Sequence, residues 1–453
     1  MSKASGYTYQ AKRIVGRGIN YIKRNGVFSA FKRMADKADK NRLYNEWRHS
    51  HPAIEECEEI VLNSGIKFSI VTPLYKTDKK LLKDLVDSWM NQTYQNFEIC
   101  FADASSDDDF ETYVKSIITD KVKYRRLSVN KGISANTNEA IKDADGDFIV
   151  FCDHDDIVEP DALYLIAKAI VEDNETDFIY TNQDKIDSVG KKFYDPFLKP
   201  AYDEVLLCST NYICHLHAVR KSLLDEIGYL DPEFDGSQDY EMTLRACEKA
   251  RKIKFIDSMS YHWRINGNST ADEGDQKLYA YNAGKKAITQ HYERLAIDAK
   301  VSMKEGTYGV YHTEFSLPED WEDNISRVKI VDGVVTEQNI EKDFVLFESG
   351  EIKATNPEVL KELAGYVMIL GKNACGAVAD YPFELPPQGM SKVDIATFYL
   401  TVCPNINMPV TADLILVKKS ALEGIDLTKK GWQKEINDVV YNPFALPQEP
   451  IKI

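Results

Sequence analysis

Five short apolar runs between residues 68 and 184 each stop abruptly in polar residues. Phe68-Ser-Ile-Val-Thr-Pro73 reads as a strand ended by proline. Phe97 to Ala102 runs into Asp103-Ala-Ser-Ser-Asp107, Val122 to Leu127 into Asn130-Lys131-Gly132, and Asp177-Phe-Ile-Tyr180 into Thr181-Asn-Gln-Asp184. After the first run, Leu81, Leu82, Leu85 and Met90 fall on one side of a helix. Strand–helix alternation of this kind builds an α/β domain, a mainly parallel sheet with helices on its faces. Ligands of such sheets bind outside the carboxyl ends of the strands. The polar strand ends therefore gather where a nucleotide would sit.

The remaining run, Phe148-Ile-Val-Phe151, is followed by Asp153-His154-Asp155-Asp156. Three carboxylates within four positions repel one another, so such a strand tip commonly holds a cation. Asp153 and Asp155 flank one residue, which lets both reach one divalent ion whose other ligands are phosphate oxygens. Oxygen-only ligation suits Mg²⁺ or Mn²⁺. A polar loop after a buried strand is the competing reading of the triplet alone.

The chain has 453 residues, enough for two or three domains, and its 43% hydrophobic and 28% charged composition is that of a globular protein. No stretch approaches the ~18 apolar residues of a membrane span, and Met1 to Gln10 holds no signal-peptide core. The eight cysteines show no zinc-binding spacing and read as reduced, packed thiols in the cytosol. Residues 1–50 carry twelve Lys and Arg against three Asp and Glu, in a chain of net charge −16. Ile14, Ile19, Ile22, Phe28 and Phe31 recur there at helical spacing, interrupted by Gly16, Gly18 and Gly26. Two readings stay open: basic amphipathic helices on an anionic membrane surface, or a basic face packed on the acidic body. No motif for nucleic acid accompanies the basic patch.

Six segments in order resemble the family 2 glycosyltransferases of GT-A fold: FSIVTPLYKTDKKLL from residue 68, SWMNQTYQNFEICFADASSDD from 88, NKGISANTNEAI from 130, GDFIVFCDHDD from 146, GYLDPEFDGSQDYEMTLRA from 228 and YHWRINGNSTA from 261. The nearest subgroup builds bacterial surface polysaccharides such as O-antigens and rhamnose-rich glycans. The resemblance implies a GT-A domain over 66–300 and roles for individual residues. Asp103 would hydrogen-bond the nucleotide base, with Asp107 left to cap the following helix. Pro73 and Tyr75 would pack around the nucleoside, and Lys131-Gly132 would bring a cation and bare backbone to phosphate. Asp153 and Asp155 would bind the metal and the donor diphosphate, with His262 as a further metal ligand and Arg264 as a phosphate fork. Asp239, in Gly236-Ser-Gln-Asp239-Tyr-Glu241, would be the general base. Gln238 stands where the family often has Glu.

Beyond residue 300 the sequence repeats itself faintly. Asp343-Phe-Val-Leu-Phe347 echoes Asp147-Phe-Ile-Val-Phe151, and Asp153-His-Asp155 is answered by Ser349-Gly-Glu351. No counterpart of the Asp239 motif is evident. The expectation is a basic helical segment over 1–65, the GT-A domain, and over 301–453 a linker with a shortened, non-catalytic GT-A-like domain. As a whole the chain reads as an inverting, metal-dependent glycosyltransferase in the cytoplasm, peripheral to the inner membrane if residues 1–50 bind lipid. It would take a UDP- or dTDP-sugar and extend a glycan or lipid-linked glycan. The alternative is a silent subunit that binds nucleotide sugar or glycan and organises partner transferases. A nucleotidyltransferase would need a Gly-rich basic loop after the first strand, where this chain has Thr72-Pro-Leu-Tyr-Lys-Thr77.

Overall fold

The computed structural model describes residues 41–42, 44–50, 52–54, 56–265, 278–304, 307–336, 339–349, 356–377, 403–406 and 410–445. Residues 1–40, Asn266–Ala271 and Glu351 lie outside them.

The expected strands are present: β1 (Phe68–Leu74), β2 (Phe97–Asp103), β3 (Val122–Arg126) and β4 (Phe148–Phe151). β5 is Ile157–Val158, β6 Thr176–Ile186, β7 Phe193–Phe197, β8 His217–Arg220 and β9 Lys252–Arg264. They form one nine-stranded sheet in the order β3-β2-β1-β4-β8-β6-β9-β5, with β7 on β6. The β3-β2-β1-β4 half is parallel, β8 runs against both β4 and β6, and β6 is parallel to β9. β1, β2 and β4 are almost wholly buried runs because helices cover both faces. Alternate residues divide between two cores: Val71, Cys100 and Ile149 face one side, and Ile70, Ile99 and Val150 the other. The fold is the mixed α/β sheet of GT-A type.

Helix α1 (Lys79–Met90) starts at Asp78, whose carboxylate accepts the Lys80 amide at 2.8 Å. Its buried stripe is Leu82, Leu85, Val86 and Trp89, spaced i, i+3, i+4, i+7; Leu81 and Met90 sit at the margin. Asp107 caps α2 (Asp108–Ile117) as expected. The other helices that matter are α3 (Ile133–Asp143), α4 (Ala162–Glu172), α5 (Gln238–Lys249) and α6 (Leu278–Arg294).

β6 extends well past the expected Tyr180, and the long β9 runs beside it. The polar run Thr181–Asp184 reads as a loop, yet here it is strand, because each side chain finds a partner inside. The Asn182 amide carbonyl accepts the Lys199 N–H at 2.7 Å, and Gln183 accepts the His215 N–H at 3.2 Å. Asp184 accepts the Tyr44 hydroxyl at 2.5 Å.

A second sheet follows, built from β12 (Ile325–Val331), β13 (Val334–Val335), β14 (Phe344–Ser349), β15 (Ala374–Gly376), β16 (Leu414–Lys418) and β17 (Val439–Tyr441). A separate hairpin, β10 (Ala299–Met303) with β11 (Tyr311–Phe315), lies between the two sheets in sequence. The second order is β13-β12-β14-β16-β15-β17. Its core path repeats the first sheet strand for strand, β12, β14, β16, β15 and β17 standing for β1, β4, β8, β6 and β9 with the same pairing directions. Even the register agrees: Phe148 opposes Arg220 and Ile149 opposes Val219, as Phe344 opposes Lys418 and Val345 opposes Val417. The echo in sequence is therefore an echo in winding, with no counterpart of strands β2 and β3 among the described residues.

The helix and acid of the Asp239 motif are not repeated, and a short turn stands in their place. Between β8 and β9 the chain places Gly236 (φ +98°) and α5; between β16 and β17 it places Gly431 (φ +80°) and a single 3₁₀ turn, Trp432–Glu435. Lys434 stands three residues after its glycine, as Asp239 does. Trp432 is fully buried against Phe347, ring centroids 4.6 Å apart, and Phe347 corresponds to Phe151. An indole fills the space beside this phenylalanine in the second sheet.

Candidate active site

At the carboxyl edge of β1 and β4, a small cleft opens between the strands and the N-terminal ends of α3 and α5. Pro73, Phe151, Asp153, His215, His217 and Asp239 all line it. Asp153 comes from the β4 tip and Asp239 from the first turn of α5, where a carboxylate suits the helix dipole. Asn211 donates its amide to Asp239 Oδ2 at 3.2 Å. The structure thus brings together the two acids given the metal and base roles.

The turn carrying Asp153 and Asp155 is anchored from behind. Asp156 is fully buried, accepting the Tyr261 hydroxyl at 2.5 Å and the Arg264 main-chain N–H at 2.6 Å. Burial, with Asp155 and Asp153 nearby, pushes its carboxyl well above the usual range. The Asp153 side chain is 42% exposed at the mouth. Two strand-tip carboxylates are a donor set suited to Mg²⁺ or Mn²⁺, a hard ion that would complete its shell with diphosphate and water oxygens. Among the described residues no three His, Cys, Asp or Glu side chains converge into a complete cage.

His262 does not join Asp153 and Asp155. Its ring is 2% exposed, with Nδ1 2.5 Å from Asp184 Oδ1 and Nε2 3.0 Å from Glu159 Oε1. Both nitrogens are taken by carboxylates, so neither lone pair is offered to a metal at the cleft. Arg264 is likewise committed. It is buried, and its Nε donates to the Asp155 carbonyl at 2.6 Å and its Nη2 to Asp84 at 3.3 Å. With these two contacts it braces the acidic turn, while its Nη1 has no hydrogen-bond partner among the described residues.

Asp103 ends β2, fully buried, accepting the Ser105 N–H at 2.8 Å and the Tyr124 hydroxyl at 2.7 Å. Tyr75 is exposed just beyond β1, with the Lys76 ammonium 5.0 Å from its ring centre. Lys131 lies in a neighbouring groove with Arg125 and Arg126, across α3 from the cleft. Gly132 (φ +97°) has a structural reason of its own: a Cβ there would stand 2.3 Å from Asp235 Oδ2. Asp235 in turn accepts the Ser134 N–H at 3.1 Å, joining the start of α3 to the loop before α5. Gly132→Ala should therefore distort this junction and lower the melting temperature, which a thermal scan would show.

Two histidines were not foreseen. His215 Nε2 lies 3.7 Å from Asp153 Oδ2, its ring stacked on Tyr261 at 4.9 Å. His217 follows at the start of β8. The segment is held by Lys199, a buried ammonium that donates to the carbonyls of Ile213 and His215 and that burial pulls down to about 7. The signal was present as Cys214-His-Leu-His217, two imidazoles two residues apart at the start of a strand.

Residues 69–228 match the family described as Glycosyl transferase family 2. The chain carries a family 2 glycosyltransferase domain. Relatives include the Uncharacterized protein y4gI of Sinorhizobium fredii (strain NBRC 101917 / NGR234), 35% identical over 51% of this chain and 26% of that protein. The O-antigen biosynthesis protein RfbC of Myxococcus xanthus is 30% identical over 52% of this chain and 18% of its own length. The chain thus spans about a quarter or less of these two relatives. Among solved structures, S. aureus TarS 1-349 in complex with UDP-GlcNAc superposes with a TM-score of 0.41 at 22% identity, over 50% of this chain and 66% of that one. Asp239, in α5, lies C-terminal to the residues that match the glycosyltransferase domain.

Proposed function

We propose that the chain transfers a sugar, with inversion, from a UDP- or dTDP-sugar to a hydroxyl of a growing bacterial surface glycan. The observation that carries this reading is the cleft itself, where Asp153 and Asp239 face a common space at the strand ends of a family 2 domain. Asp239 takes the proton of the acceptor hydroxyl as its oxygen attacks the anomeric carbon opposite the leaving group. Positioned proton transfer of this kind contributes roughly 10²–10⁴-fold. Asp153 and Asp155 hold a divalent ion, which when bound neutralises charge on the departing nucleotide. Asp103 shapes the base end of the cleft by holding Ser105 and Tyr124, with Pro73 and Tyr75 along the nucleoside. RfbC's name speaks of O-antigen biosynthesis, which supports a surface glycan as acceptor. All eight cysteines are free thiols and no described helix is long and apolar enough to cross a membrane, consistent with work in the cytoplasm.

The test is release of free nucleotide from a panel of UDP-, dTDP- and GDP-sugars with Mn²⁺ or Mg²⁺. Turnover with at least one donor is expected, and Asp155→Asn should lose the stimulation by metal while its melting temperature stays put. Full activity in excess EDTA would exclude the metal role. A protein that binds no nucleotide sugar would sink the reading altogether.

A further inference from the structure

His217 is a buried polar group with an unused atom. Phe151 and Phe178 cover the two faces of its ring, at centroid distances of 5.0 and 5.7 Å. At one edge Nδ1 sits 2.5 Å from the Cys214 carbonyl. A carbonyl only accepts, so Nδ1 carries the proton. Burial pulls the imidazole down to about 3, which keeps the ring neutral and leaves a lone pair on Nε2. Among the described residues that nitrogen has no hydrogen-bond partner, although it is buried. An unsatisfied buried acceptor costs roughly 1–3 kcal/mol, so its presence in a ligand cleft calls for a reason.

The second sheet shows that packing is not the reason. His217 opposes Tyr180 across β8 and β6; the corresponding pair in the second sheet is Ile415 opposite Gly376. Isoleucine serves this place in the winding of the second sheet, where the Trp432 indole lies against the neighbouring strand's Phe347. The first sheet has an acceptor there, on a ring that lines the same cleft as Asp153 and Asp239. Phosphate oxygens are acceptors and offer such a nitrogen nothing. Sugar hydroxyls are donors.

We infer that His217 Nε2 accepts a hydrogen bond from one hydroxyl of the transferred sugar and so sets which donor sugar the cleft takes. This rests on the cleft being a nucleotide-sugar site. The hydroxyl satisfies an acceptor that is already desolvated, so a sugar lacking it leaves the nitrogen unpaired. Discrimination of that kind exceeds what an apolar pocket achieves against a missing methylene.

The experiment uses the full chain with Mn²⁺ and compares UDP-glucose, UDP-galactose, UDP-GlcNAc, UDP-glucuronate, dTDP-rhamnose and GDP-mannose with the bare nucleoside diphosphates. For the donor that wild type turns over best, His217→Phe should lower kcat/KM about tenfold to hundredfold. The phenyl ring keeps the stack on Phe151 and Phe178, so affinity for the bare nucleotide should not change and the melting temperature should hold or rise. One monodeoxy form of that donor should be as poor for wild type as the full donor is for His217→Phe, with no added loss when the two are combined. His217→Ile, copying Ile415, is the second variant. Unchanged kcat/KM in either folded variant overturns the inference, as does a parallel loss of bare-nucleotide affinity. Failure of both variants to fold would assign the imidazole to the core and overturn it too. Wild type binding no nucleotide sugar at all is a different result, and refutes the proposed function instead.

Discussion

Asp239→Asn should lower kcat by about 10²-fold or more while leaving the affinity for nucleotide within twofold of wild type. The amide is nearly isosteric, and its carbonyl oxygen can still accept the Asn211 amide that now reaches Asp239 at 3.2 Å. Helix α5 and the β4 turn should survive, and only the proton acceptor is lost. Two other acids, Glu241 and Asp184, are already committed. Glu241 is buried in a two-pronged pair with Arg245, both contacts 2.6 Å. Asp184 is buried between Tyr44 and His262. Unchanged turnover in Asp239→Asn would remove it as the base, and a parallel rise in nucleotide Kd would make its role structural.

The second large effect concerns stability. Arg48, in the helical stretch 44–50, reaches Glu159 at 2.6 Å and Asp184 at 3.3 Å, with its guanidinium 3.9 Å from the Phe193 ring centre. Tyr44 and His262 complete the cluster. Arg48→Met keeps the aliphatic stem but leaves two carboxylates to share His262 and Tyr44 without their arginine, and breaking a buried pair from one side costs on the order of 3 kcal/mol. A fall in melting temperature of roughly 10 °C is expected. The pH dependence identifies the cause. Burial pushes the Glu159 carboxyl up, but His262 and Arg48 outweigh it and hold it down to about 2. A depressed carboxyl stabilises fully above its unfolded value, near 4.5, and loses that contribution as pH falls through 2. The gap between wild type and Arg48→Met in urea melts should therefore be widest above pH 4.5 and narrow toward pH 2. A gap that stays constant through that window would mean the pair with Glu159 is not what Arg48 supplies. Residues 44–50 thus pack on the acidic body; the lipid question concerns only residues 1–40.

The strands with apolar runs were legible because hydrophobic continuity is a local property. So was the placing of Asp153, just past the end of such a run, and of Asp239, in the first turn of the helix that follows Gly236. What failed was long-range. His262 and Arg264 look available in sequence, and only the fold reveals that Asp184, Glu159 and the Asp155 carbonyl, 78 to 109 residues away, occupy them. Thr181–Asp184 carries turn-like residues, and no local signal says that Lys199, His215 and Tyr44 will satisfy them in a strand. Gly132 reads as a phosphate approach until Asp235 is seen beneath it. The turn Gly431–Glu435 carries little signal in sequence, because Lys434 stands where the acid would be and a single 3₁₀ turn replaces the helix.

Two sheets wound alike set a problem for the nascent chain. Phe148–Phe151 and Phe344–Phe347 present nearly the same edge, and β8 and β16 are nearly interchangeable partners for them. Cross-pairing between such units is the misassembly to which repeated folds are prone. Synthesis from the N-terminus removes the ambiguity, because β9 closes the first sheet at Arg264, 80 residues before β14 begins at Phe344. The first half is finished before its imitation emerges. A chain permuted to begin at residue 325 would lose that order, and slow or misdirected refolding is the penalty its topology sets.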